Sequence, residues 1–433
     1  MAGNRYTAEY QSKLVTVGQA LSVLESGDSF ATSVCALEPN LFLDNLHTLS
    51  GKVQGLTMVD GLTMREHPYL DARYRGLVDV ESFFFMPPAR RGQKNGIVSF
   101  IPGHLHASVE RWLCGRKLKL FVGMASPMDE HGYMWMSLSQ IHERIAFEAA
   151  DIVILEVNPN VPRVFGDTEV HISQADMIIE SDTPLPQLPK SIPTPEEAEV
   201  GRYVASLIND GDTIQLGIGG IPDAIASNLL GKHDLGVHTE MINNGMIDLM
   251  RAGVINGRKK SLYPGKTVGV FALGDSELYR EIDLNPSIMI MRGDRANRPD
   301  VIAQNDNMVS VNTAMCVDLT GQVCSESIGA SQYSGTGGQT DTASGAVHSK
   351  GGRSIIAMTS TRRDGSISAI DSVLPLGSVV SLSRNEVDYV ITEYGIARLK
   401  GQSVRKRAEA LISIAHPEFR AGLRADAEKY LFI

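Results

Sequence analysis

The sequence has few cysteines, and none of them lie close together in the chain. Its 433 residues include four, Cys35, Cys114, Cys316 and Cys324, with no C-x-x-C pair among them. Zinc sites and disulfide frameworks need closely or regularly spaced cysteines. We therefore predict neither a metal site nor a disulfide framework, and we expect the cysteines to be buried free thiols.

Long apolar runs and a surplus of positive charge are also missing. No stretch approaches the roughly 18 uninterrupted apolar residues of a membrane helix, and the first residues contain no apolar core of signal-peptide type. The formal net charge of -10 argues against binding to nucleic acid or to an anionic membrane, although a local basic patch can still hold a polyphosphate ligand. The composition predicts a cytoplasmic protein with no nucleic-acid or membrane partner.

The sequence does contain an alternation of short apolar runs with longer helix-like segments. Runs such as "LFVGMAS", "DIVILEVN", "TIQLGIGG" and "YVITEYG" are bounded by glycine, proline or aspartate. Continuous apolar runs suit strands buried on both faces, so the pattern predicts a mainly parallel α/β fold. The chain is too long for one core, and the proline-rich stretch at 182–197 is typical of a linker. We predict two domains, 1–185 and 186–433.

The two sides of this linker resemble each other in three places. The similar segments are "ESGDSFATSV" (25–34) and "NDGDTIQLGI" (209–218), "FVGMASPMDEHGY" (121–133) and "IIAMTSTRRDGSI" (355–367), and "DIVILEVN" (151–158) and "DYVITEYG" (388–395). Because the matches occur in the same order, they favour two related α/β domains, the second enlarged between its first and second match. The alternative is that strand–Gly–Asp patterns recur by chance in any α/β protein.

A glycine-rich turn opens the second half of the chain. The segment "TIQLGIGGIPDAIASNLL", 213–230, predicts a strand, a glycine turn and a helix that begins near Pro222. Glycines let backbone N–H groups approach an anion, and a helix N-terminus favours negative charge, so an anion or oxyanion site is one interpretation. A tight turn without a ligand explains the same pattern equally well.

Glu240 lies 21 residues after Gly219, at the end of another predicted strand, "LGVHTE". This spacing matches the acid that binds a ribose hydroxyl in a dinucleotide fold, so a nicotinamide-dependent oxidoreductase is a competing hypothesis. Against it, Pro222 stands where that motif needs its third glycine or alanine, and the motif opens the second half of the chain instead of the first.

A second glycine cluster, "YSGTGGQTDTASGAVHSKGG", covers 333–352. Its composition argues against a strand and favours a loop that wraps a ligand, with a flexible linker as the alternative. It lacks the P-loop spacing, and the chain has no G-x-S-x-G, so neither nucleotide hydrolysis nor a serine nucleophile elbow is supported. His104 and His106 would share one face of a strand, but without a third ligand they favour a structural role.

With these residues in view, the sequence closely resembles the acetyl-CoA hydrolase/transferase group of class I coenzyme A transferases, particularly its 4-hydroxybutyrate and butyryl-CoA:acetate branch. The segments that carry the resemblance are "ASPMDEHGY", "EVNPNVPRVFGDTEVHIS", "LGIGGIPDAI", "GVHTEM", "SVNTAMCVDLTGQV", "GTGGQTDTASGA" and "ITEYGIARLKG". The resemblance implies two related, mainly parallel α/β domains of the NagB/CoA-transferase-like type, with the active site at their junction.

In this family the glutamate of the H-[ST]-E-M segment is the nucleophile, which implies that Glu240 attacks an acyl-CoA. CoA would then move to a short-chain carboxylate by a ping-pong mechanism through a glutamyl-CoA thioester. At its ordinary pKa of about 4.3 the carboxylate is already ionised at neutral pH and needs no partner base. Coenzyme A is expected as substrate and product, with no permanently bound cofactor. A homodimer or larger homo-oligomer is expected as the assembly.

The resemblance also implies roles for neighbouring residues. The CoA and acyl sites, including the donors to tetrahedral oxyanions, are expected at Gly217, Ile218, Gly219, Gly220, Ile221, Gly335, Gly337 and Gly338. Asn312 and Lys350 are expected to hold CoA, Lys350 through a phosphate. Gln215 is expected to hydrogen-bond the Glu240 carboxylate. The substrate is expected to be positioned by Gln339, Asp341 and Thr342.

One position departs from the family pattern. The usual "GGQxDF" followed by a long residue is here "GGQTDTAS", with Thr342 in place of the phenylalanine and Ser344 in place of the long residue. Loss of an aromatic wall would add room and polarity near the acyl group. The expected acid is therefore 4-hydroxybutyrate- or butyrate-like, or a dicarboxylate such as itaconate or succinate. The alternatives are hydrolysis of the same thioester intermediate and, from another class, the nicotinamide-dependent oxidoreductase.

Overall fold

The computed structural model describes residues 5–431, and the chain divides into two compact units. The first unit extends to Leu188 and also includes Gly269–Arg295, and the second consists of Pro189–Val268 and the residues from Ala296 onward. The division after Leu188 falls close to the predicted limit at 185. Gly269–Arg295 groups with the first unit, whereas the sequence placed it in the second domain, so the ranges 1–185 and 186–433 stay a prediction.

The helices are mostly short. In chain order they are α1 (Arg5–Lys13), α2 (Val17–Leu21), α3 (Asn40–Asn45), α4 (Pro87–Lys94), α5 (Ser108–Leu113), α6 (Glu143–Ala149), α7 (Pro195–Ser206), α8 (Gly220–Asn228), α9 (Asn244–Arg251), α10 (Ser276–Ile282), α11 (Gly293–Ala296), α12 (Pro299–Ile302), α13 (Gln339–His348), α14 (Val404–Ile414) and α15 (Pro417–Leu431). Within the described part of the chain, none of them is long and apolar enough to span a bilayer.

Each unit is built on one large sheet. The strands of the first sheet are β1 (Ser29–Thr32), β2 (Leu56–Asp60), β3 (Val78–Ser82), β4 (Val98–Phe100), β5 (Leu118–Ala125), β6 (Ala150–Val157) and β7 (Met177–Glu180). Their order is β7-β6-β5-β1-β2-β3-β4, and all neighbours are parallel. The predicted mainly parallel α/β fold is confirmed in this unit.

The strands of the second sheet are β8 (Thr213–Leu216), β9 (Gly236–Val237), β10 (Met308–Thr313), β11 (Arg353–Ala357), β12 (Tyr389–Thr392) and β13 (Gly395–Arg398). Their order is β9-β8-β10-β11-β12-β13, and only the last pair is antiparallel. Here too the sheet is mainly parallel, as predicted.

The two sheets share a core of five strands in the same order. In the first it is β2-β1-β5-β6-β7 and in the second β9-β8-β10-β11-β12. The sequence matches make β1 correspond to β8, and the positions of these strands in the two sheets agree. The same matches make β5 correspond to β11 and β6 to β12. By position in the sheet, β5 corresponds to β10 and β6 to β11, so these two matches are wrong by one strand.

Both faces of the second sheet are buried, which explains its continuous apolar runs. Along β11 and β12, Ile355 and Ile391 belong to one apolar cluster while Ile356 and Val390 belong to another. The first cluster includes residues of α7, α8 and α9, and the second includes residues of α13, α14 and α15. Alternate side chains of one strand therefore enter different cores, as expected for a parallel sheet covered by helices.

Short strands complete the units. In the first, Tyr133–Trp135 pairs with Glu169–His171 and Ile288–Ile290 with Phe165–Gly166. In the second, Cys316–Asp318 pairs with Val323–Cys324 and with Ile370–Asp371, Ser327–Ile328 with Ser331–Gln332, and Thr361–Arg362 with Ile367–Ser368. The remaining strands are Met241–Ile242, Thr267–Gly269 and Phe271–Ala272.

The proline-rich segment ends in a capped helix. The Thr194 side chain accepts from the backbone N–H of Glu197, and the Glu197 carboxylate accepts from the backbone N–H of Thr194. Pro195 fits the first helical position, where no donor is needed. The last residues of the predicted linker, 182–197, therefore belong to α7.

Candidate active site

The carboxyl ends of three neighbouring strands bring the main candidate residues of the second unit to one edge of its sheet. β8 lies between β9 and β10, with Ile214 paired to Val237 and Leu216 to Val311. The glycine turn follows β8, Glu240 follows β9 closely, and Asn312 is near the end of β10. The chain runs from β8 to β9 on one side and returns to β10 on the other. In open α/β sheets, ligands bind at such a reversal of strand order.

The glycine turn after β8 is fixed by close approach as well as by backbone conformation. Gly219 has φ of 109°, a conformation that disfavours other residues. A Cβ at Gly220 would come closer than 3.0 Å to the Glu197 carboxylate. α8 begins at Gly220, slightly before the predicted start near Pro222, and Asn243 Nδ2 donates to the Gly217 carbonyl at 2.7 Å. The turn is thus tied to the segment that follows Glu240.

Hydrogen bonds from several directions hold the three residues that precede Glu240. His238 Nε2 donates to the Ala296 carbonyl at 2.7 Å, and the Thr239 N–H donates to the Val268 carbonyl at 2.9 Å. The buried Lys260 ammonium donates to the Val237 carbonyl at 2.7 Å. The strand ends at Val237, so the prediction of a strand through Glu240 is wrong, and these bonds position the glutamate instead.

The segment after Glu240 leads into the helix α9, which begins at Asn244. Asn243 is the N-cap of α9, and its side chain accepts from the Met246 N–H at 3.0 Å. An asparagine in this position satisfies a donor that the first helical turn leaves free. The position of Glu240 is therefore set by the capped helix that follows it and by the hydrogen-bonded backbone that precedes it.

Gly338 lies directly against the Glu240 carboxylate. Its backbone N–H donates to the carboxylate. A Cβ at position 338 would come closer than 3.0 Å to both Glu240 Oε2 and Asn297 Nδ2. Its φ of -96° is open to any residue, so a larger residue would be opposed by the Glu240 and Asn297 side chains, which would have to move, and not by backbone strain.

The surroundings of Glu240 oppose its negative charge. Burial raises its pKa to about 7, with a further contribution from the negative charge of Asp341 and a smaller opposing effect of the Gly338 N–H. The side chain keeps some exposed surface, but it is surrounded by enough protein to lose much of its hydration. Burial and Asp341 therefore hold the pKa of Glu240 well above the ordinary value from which an ionised carboxylate at neutral pH was expected.

The second glycine cluster is half helical. α13 covers Gln339–His348, with Gly338 at its N-cap, while Gly335 and Gly337 precede it in irregular backbone. The prediction of a loop over the whole of 333–352 is therefore wrong. Gln339 Nε2 donates to the Thr313 carbonyl at 3.4 Å, so the start of α13 lies against the end of β10. The N-terminus of this helix faces Glu240.

Gln215 does not hold Glu240. Its side-chain oxygen accepts from Ser310 Oγ at 3.0 Å and from the Val311 N–H at 3.1 Å, both on the neighbouring strand β10. The expected hydrogen bond to the Glu240 carboxylate is not among the bonds of the described residues. The amide of Gln215 joins β8 to β10 beneath the candidate site.

Comparisons with known proteins identify the family of the chain. The chain matches the acetyl-CoA hydrolase/transferase N-terminal domain over residues 2–189 and the C-terminal domain over residues 274–427. The chain belongs to the acetyl-CoA hydrolase/transferase family. This assignment contradicts the nicotinamide-dependent oxidoreductase hypothesis.

Named relatives extend over nearly the whole chain. A succinyl-CoA:cyclohexane-1-carboxylate CoA transferase of Geobacter metallireducens is 40% identical, covering 99% of this chain and 98% of its own. A 4-hydroxybutyrate coenzyme A transferase of Clostridium kluyveri is 41% identical, covering 97% and 98%. Among solved structures, RipA from Yersinia pestis has a TM-score of 0.94 at 35% identity, covering 99% of this chain and 100% of that one. The chain is a CoA-transferase.

In this CoA-transferase, Thr342 is enclosed beneath the site. It is 1% exposed, and its hydroxyl oxygen lies 3.0 Å from Ser310 Oγ, accepts from Asn312 Nδ2 at 3.2 Å and donates to the Gln339 carbonyl at 3.3 Å. The expectation that Thr342 opens polar space beside the acyl group does not fit this position. Asn312 is equally engaged, since its amide also donates to Ser310 Oγ at 2.9 Å.

Lys350 is not brought together with Glu240. It follows the C-terminal end of α13, whereas Gly338 and Glu240 are at the N-terminal end. Its side chain is 87% exposed, with the Asp306 carboxylate 3.8 Å away. We therefore leave Lys350 out of the proposed site.

Asn297 joins the site although no sequence pattern indicated it. Its Nδ2 donates to Asp341 Oδ2 at 2.9 Å and lies beside Gly338. The residue precedes α12 in a segment, "GDRANRPD", that has no recognisable motif. Only the fold brings it to Asp341, which is 44 positions away.

The two histidines of "PGHLH" lie in the first unit and not on a strand. His104 is the N-cap of the 3-10 turn Leu105–Ala107 and His106 lies within it, and their rings are stacked with centroids 6.1 Å apart. The expectation of a shared strand face is wrong. Among residues 5–431, no group of three or more His, Cys, Asp or Glu side chains is placed to hold a metal ion.

Replacing Thr342 by valine is expected to lower the free energy of unfolding by about 1–3 kcal/mol. Valine keeps the shape but removes an acceptor and a donor, so buried polar partners on β10 lose hydrogen bonds. Urea denaturation measures the change. Ser344→Ala on the same helix is the control, because the Ser344 side chain makes no hydrogen bond within the described residues. An equal loss in both variants would mean that the network is not what stabilises this position.

Proposed function

We propose that this CoA-transferase moves CoA from an acyl-CoA to a short-chain carboxylate through a glutamyl-CoA thioester on Glu240. The observation that carries the proposal is the placement of the Glu240 carboxylate. It lies at the reversal point of the sheet, against the Gly338 N–H and beside Asp341, in surroundings that oppose its charge. A carboxylate stabilised only as a structural anion would have partners that favour its charge.

The reaction proceeds by two exchanges at carbonyl carbon. A Glu240 oxygen attacks the thioester carbonyl and the C–S bond breaks. CoA departs as its thiolate, and an acyl-glutamyl anhydride remains on the enzyme. The thiolate then attacks the glutamyl carbonyl, the C–O bond breaks, and the first carboxylate departs from a glutamyl-CoA thioester. An incoming carboxylate reverses both steps and leaves as the new acyl-CoA. Electron pairs balance at each step, and no proton is consumed.

Each exchange passes through a tetrahedral oxyanion that needs donors. The Gly338 N–H is already directed at the reacting carboxylate, and the turn Gly217–Ile221 presents backbone at the same sheet edge. One well-placed donor of this kind contributes on the order of 10²–10³ in rate. We propose that Gly338 and the turn share this role.

The raised pKa of Glu240 favours the covalent steps. The anhydride and the thioester carry no charge on Glu240, so the cost of burying a carboxylate beside Asp341 is relieved when they form. A carboxylate of higher pKa is also the better nucleophile. Burial and Asp341 therefore act in the direction that the mechanism requires.

The pH profile is expected to follow the ionisation of Glu240. Because the ionised form is the nucleophile, kcat/KM should rise with pH and level off above an apparent pKa of about 7. In Asp341→Asn the repulsive charge is gone, the pKa of Glu240 falls, and the rising limb should move to lower pH. Steady-state rates between pH 5 and 9 measure both. If the rising limb of the pH profile lies at the same pH in Asp341→Asn as in the wild-type protein, Asp341 does not have the proposed role.

Trapping the intermediate tests the proposal directly. The protein is incubated with acetyl-CoA, reduced with borohydride, digested and mapped by mass spectrometry. The expected modification is reduction of the Glu240 side chain. Modification of another peptide, with none at Glu240, would overturn the mechanism.

Transfer and hydrolysis differ in whether water reaches the thioester. We propose that transfer dominates, as in the named relatives. Release of free CoA from an acyl-CoA is measured with and without added carboxylate. Release at the same rate without an acceptor would show a hydrolase.

For the acid, we propose a short-chain carboxylate of the 4-hydroxybutyrate or butyrate type, in view of the relative that acts on 4-hydroxybutyrate. Itaconate or succinate remains a hypothesis, although the buried Thr342 no longer supports it. Comparing kcat/KM for butyrate, 4-hydroxybutyrate, succinate and itaconate decides between them. The cytoplasmic location, the homo-oligomer and the absence of a permanent cofactor stay predictions.

A further inference from the structure

Two of the cysteines face each other across a pair of short strands in the second unit. The strands Cys316–Asp318 and Val323–Cys324 are antiparallel, and Cys316 is directly opposite Cys324 in their register. Opposed residues of such a pair have Cα atoms about 4.5–5.5 Å apart, a separation that a disulfide spans. Both cysteines are buried free thiols. The backbone therefore places the two thiols where a disulfide can join them.

The two sulfur atoms also interact directly. The hydrogen bond between the side chains lowers the pKa of Cys324 and, together with burial, raises the pKa of Cys316. Cys324 Sγ also lies 3.3 Å from the Ser327 carbonyl oxygen and 3.4 Å from Ser327 Oγ. The thiolate is the reactive form of cysteine in disulfide chemistry. Cys324 is therefore suited to attack Cys316 once the latter is oxidised.

A cavity of about 550 Å³ gives small molecules access to this pair. Cys316 lines the cavity together with Ala314 and Thr359, which closely follow β10 and β11. Hydrogen peroxide is little larger than water, which takes up about 30 Å³ in the liquid. The cavity therefore has room to bring a peroxide to Cys316, although this side chain has little exposed surface.

We propose that Cys316 and Cys324 form an oxidative modification site, at which a hydroperoxide converts the two thiols to a disulfide that lowers transferase activity. Formation of the disulfide depends on the placement of the thiols alone. The effect on activity rests on the proposed function, in which the Gly338 N–H serves the reaction at Glu240.

The oxidation proceeds in two balanced steps. The Cys316 sulfur attacks one peroxide oxygen, the O–O bond breaks, and the thiol proton leaves with the departing hydroxide as water. Cys316 is then a sulfenic acid. The Cys324 sulfur attacks the sulfenic sulfur, the S–O bond breaks, and hydroxide leaves as water with the Cys324 proton. The two thiols lose two electrons, which reduce one peroxide to two waters.

The segment after Cys324 holds the loop that leads to Gly338. The carbonyl of Glu326 accepts from the Tyr333 N–H at 2.8 Å, and its carboxylate accepts from Thr336 Oγ1 at 3.2 Å. Thr336 stands two positions before Gly338, and Glu326 two positions after Cys324. The placement of the Gly338 N–H is thus linked through Glu326 to the cysteine pair.

Closing the disulfide disturbs this link. An S–S bond is about 2.05 Å long, much shorter than a contact between unbonded sulfur atoms, so Cys324 moves toward Cys316 and away from Ser327. The movement passes to Glu326 and to the loop that it holds. Misplacing a group at the reaction centre by about 1 Å can cost about 10² in rate. We therefore expect the disulfide form to be the less active one.

The first test maps the bond. Reduced protein is treated with hydrogen peroxide, the remaining thiols are alkylated, and the chain is cleaved on the N-terminal side of aspartate. Asp318 lies between the two cysteines, so this cleavage places them on separate fragments, 306–317 and 318–340. We expect mass spectrometry to find the two fragments joined until a thiol reductant is added. Separate fragments with both cysteines alkylated would overturn the proposal.

The second test measures kcat of the reduced and the oxidised protein. We expect oxidation to lower kcat at least about tenfold and a thiol reductant to restore it. In Cys316→Ser and Cys324→Ser, peroxide should leave kcat at the value of the same variant before treatment. An equal oxidative loss in these variants would mean that another group is responsible, and the proposal would be wrong. If one variant does not fold, the other decides the question.

Cys114→Ser is the matched control. Cys114 is exposed, contrary to the expectation that the cysteines are buried, and it lies in the first unit. Its removal should change neither the joining of the fragments nor the oxidative loss of kcat. If the loss disappears in Cys114→Ser, it arises at Cys114 and not at the opposed pair.

The outcomes separate this inference from the proposed function. Joined fragments without a fall in kcat would overturn the effect on activity. If borohydride trapping in the reduced protein misses Glu240, the proposed function fails, whereas joined fragments would still support the modification site.

Discussion

Replacing Glu240 by glutamine is expected to lower kcat for CoA transfer by at least about 10³-fold, because an amide cannot form the anhydride or the thioester. The exchange keeps the size of the side chain and removes a charge that burial and Asp341 oppose. Since the folded state raises the pKa of this acid, its ionisation weakens folding as pH rises through about 7. Above that pH the variant should unfold at a urea concentration at least as high as the wild-type protein.

The control for this substitution is Glu428→Gln, which removes an exposed carboxylate of α15. It should leave kcat unchanged, and neither variant should lose secondary structure by circular dichroism. If Glu240→Gln retains more than about a tenth of the wild-type kcat in a preparation free of contaminating transferase, Glu240 is not the nucleophile. A loss of activity together with a loss of stability would point to a structural role instead.

The fold and the position of Glu240, the proposed nucleophile, could be predicted from the sequence for different reasons. Buried parallel strands appear as continuous apolar runs, so "TIQLGIGG" and "YVITEYG" indicated β8 and β12 directly. The same property explains the error in aligning the two halves, because one buried strand resembles the next and the matches slipped by one. Glu240 itself became recognisable through its segment and the family resemblance, since spacing alone suited a ribose-binding acid equally well.

The support around Glu240 could not be read from the sequence. Asn297 meets Asp341 only because α13 and the segment between α11 and α12 converge in the fold, and no local pattern marks that contact. The roles expected of Gln215 and Thr342 depended on side-chain direction, which the pattern of a strand or loop does not give. The glycine and serine content of 333–352 also concealed α13, whose burial outweighs its weak helix propensity. The raised pKa of Glu240 follows from those same tertiary contacts.

Gly338→Ala is expected to reduce kcat about 10²-fold or more, because the site has no room for a Cβ at residue 338. The backbone of residue 338 accepts any side chain, but a Cβ there would meet Glu240 Oε2 and Asn297 Nδ2 at less than 3.0 Å. The polar groups must then move apart, which displaces Glu240, the proposed nucleophile, and turns the Gly338 N–H away from it. Losing one such donor from a reacting carbonyl costs on the order of 10²–10³ in rate.

Gly422→Ala provides the comparison that isolates this effect. Gly422 lies in α15, and a Cβ there would have no neighbour within 4 Å. Alanine at a free helical position stabilises by up to about 1 kcal/mol, so Gly422→Ala should have wild-type kcat and a slightly higher unfolding temperature. Activity of both variants is measured at pH 8, where Glu240 is ionised in the wild-type protein. If Gly338→Ala matches Gly422→Ala in kcat, the space beside the Glu240 carboxylate is not needed for catalysis, and the proposed donor role of residue 338 is wrong.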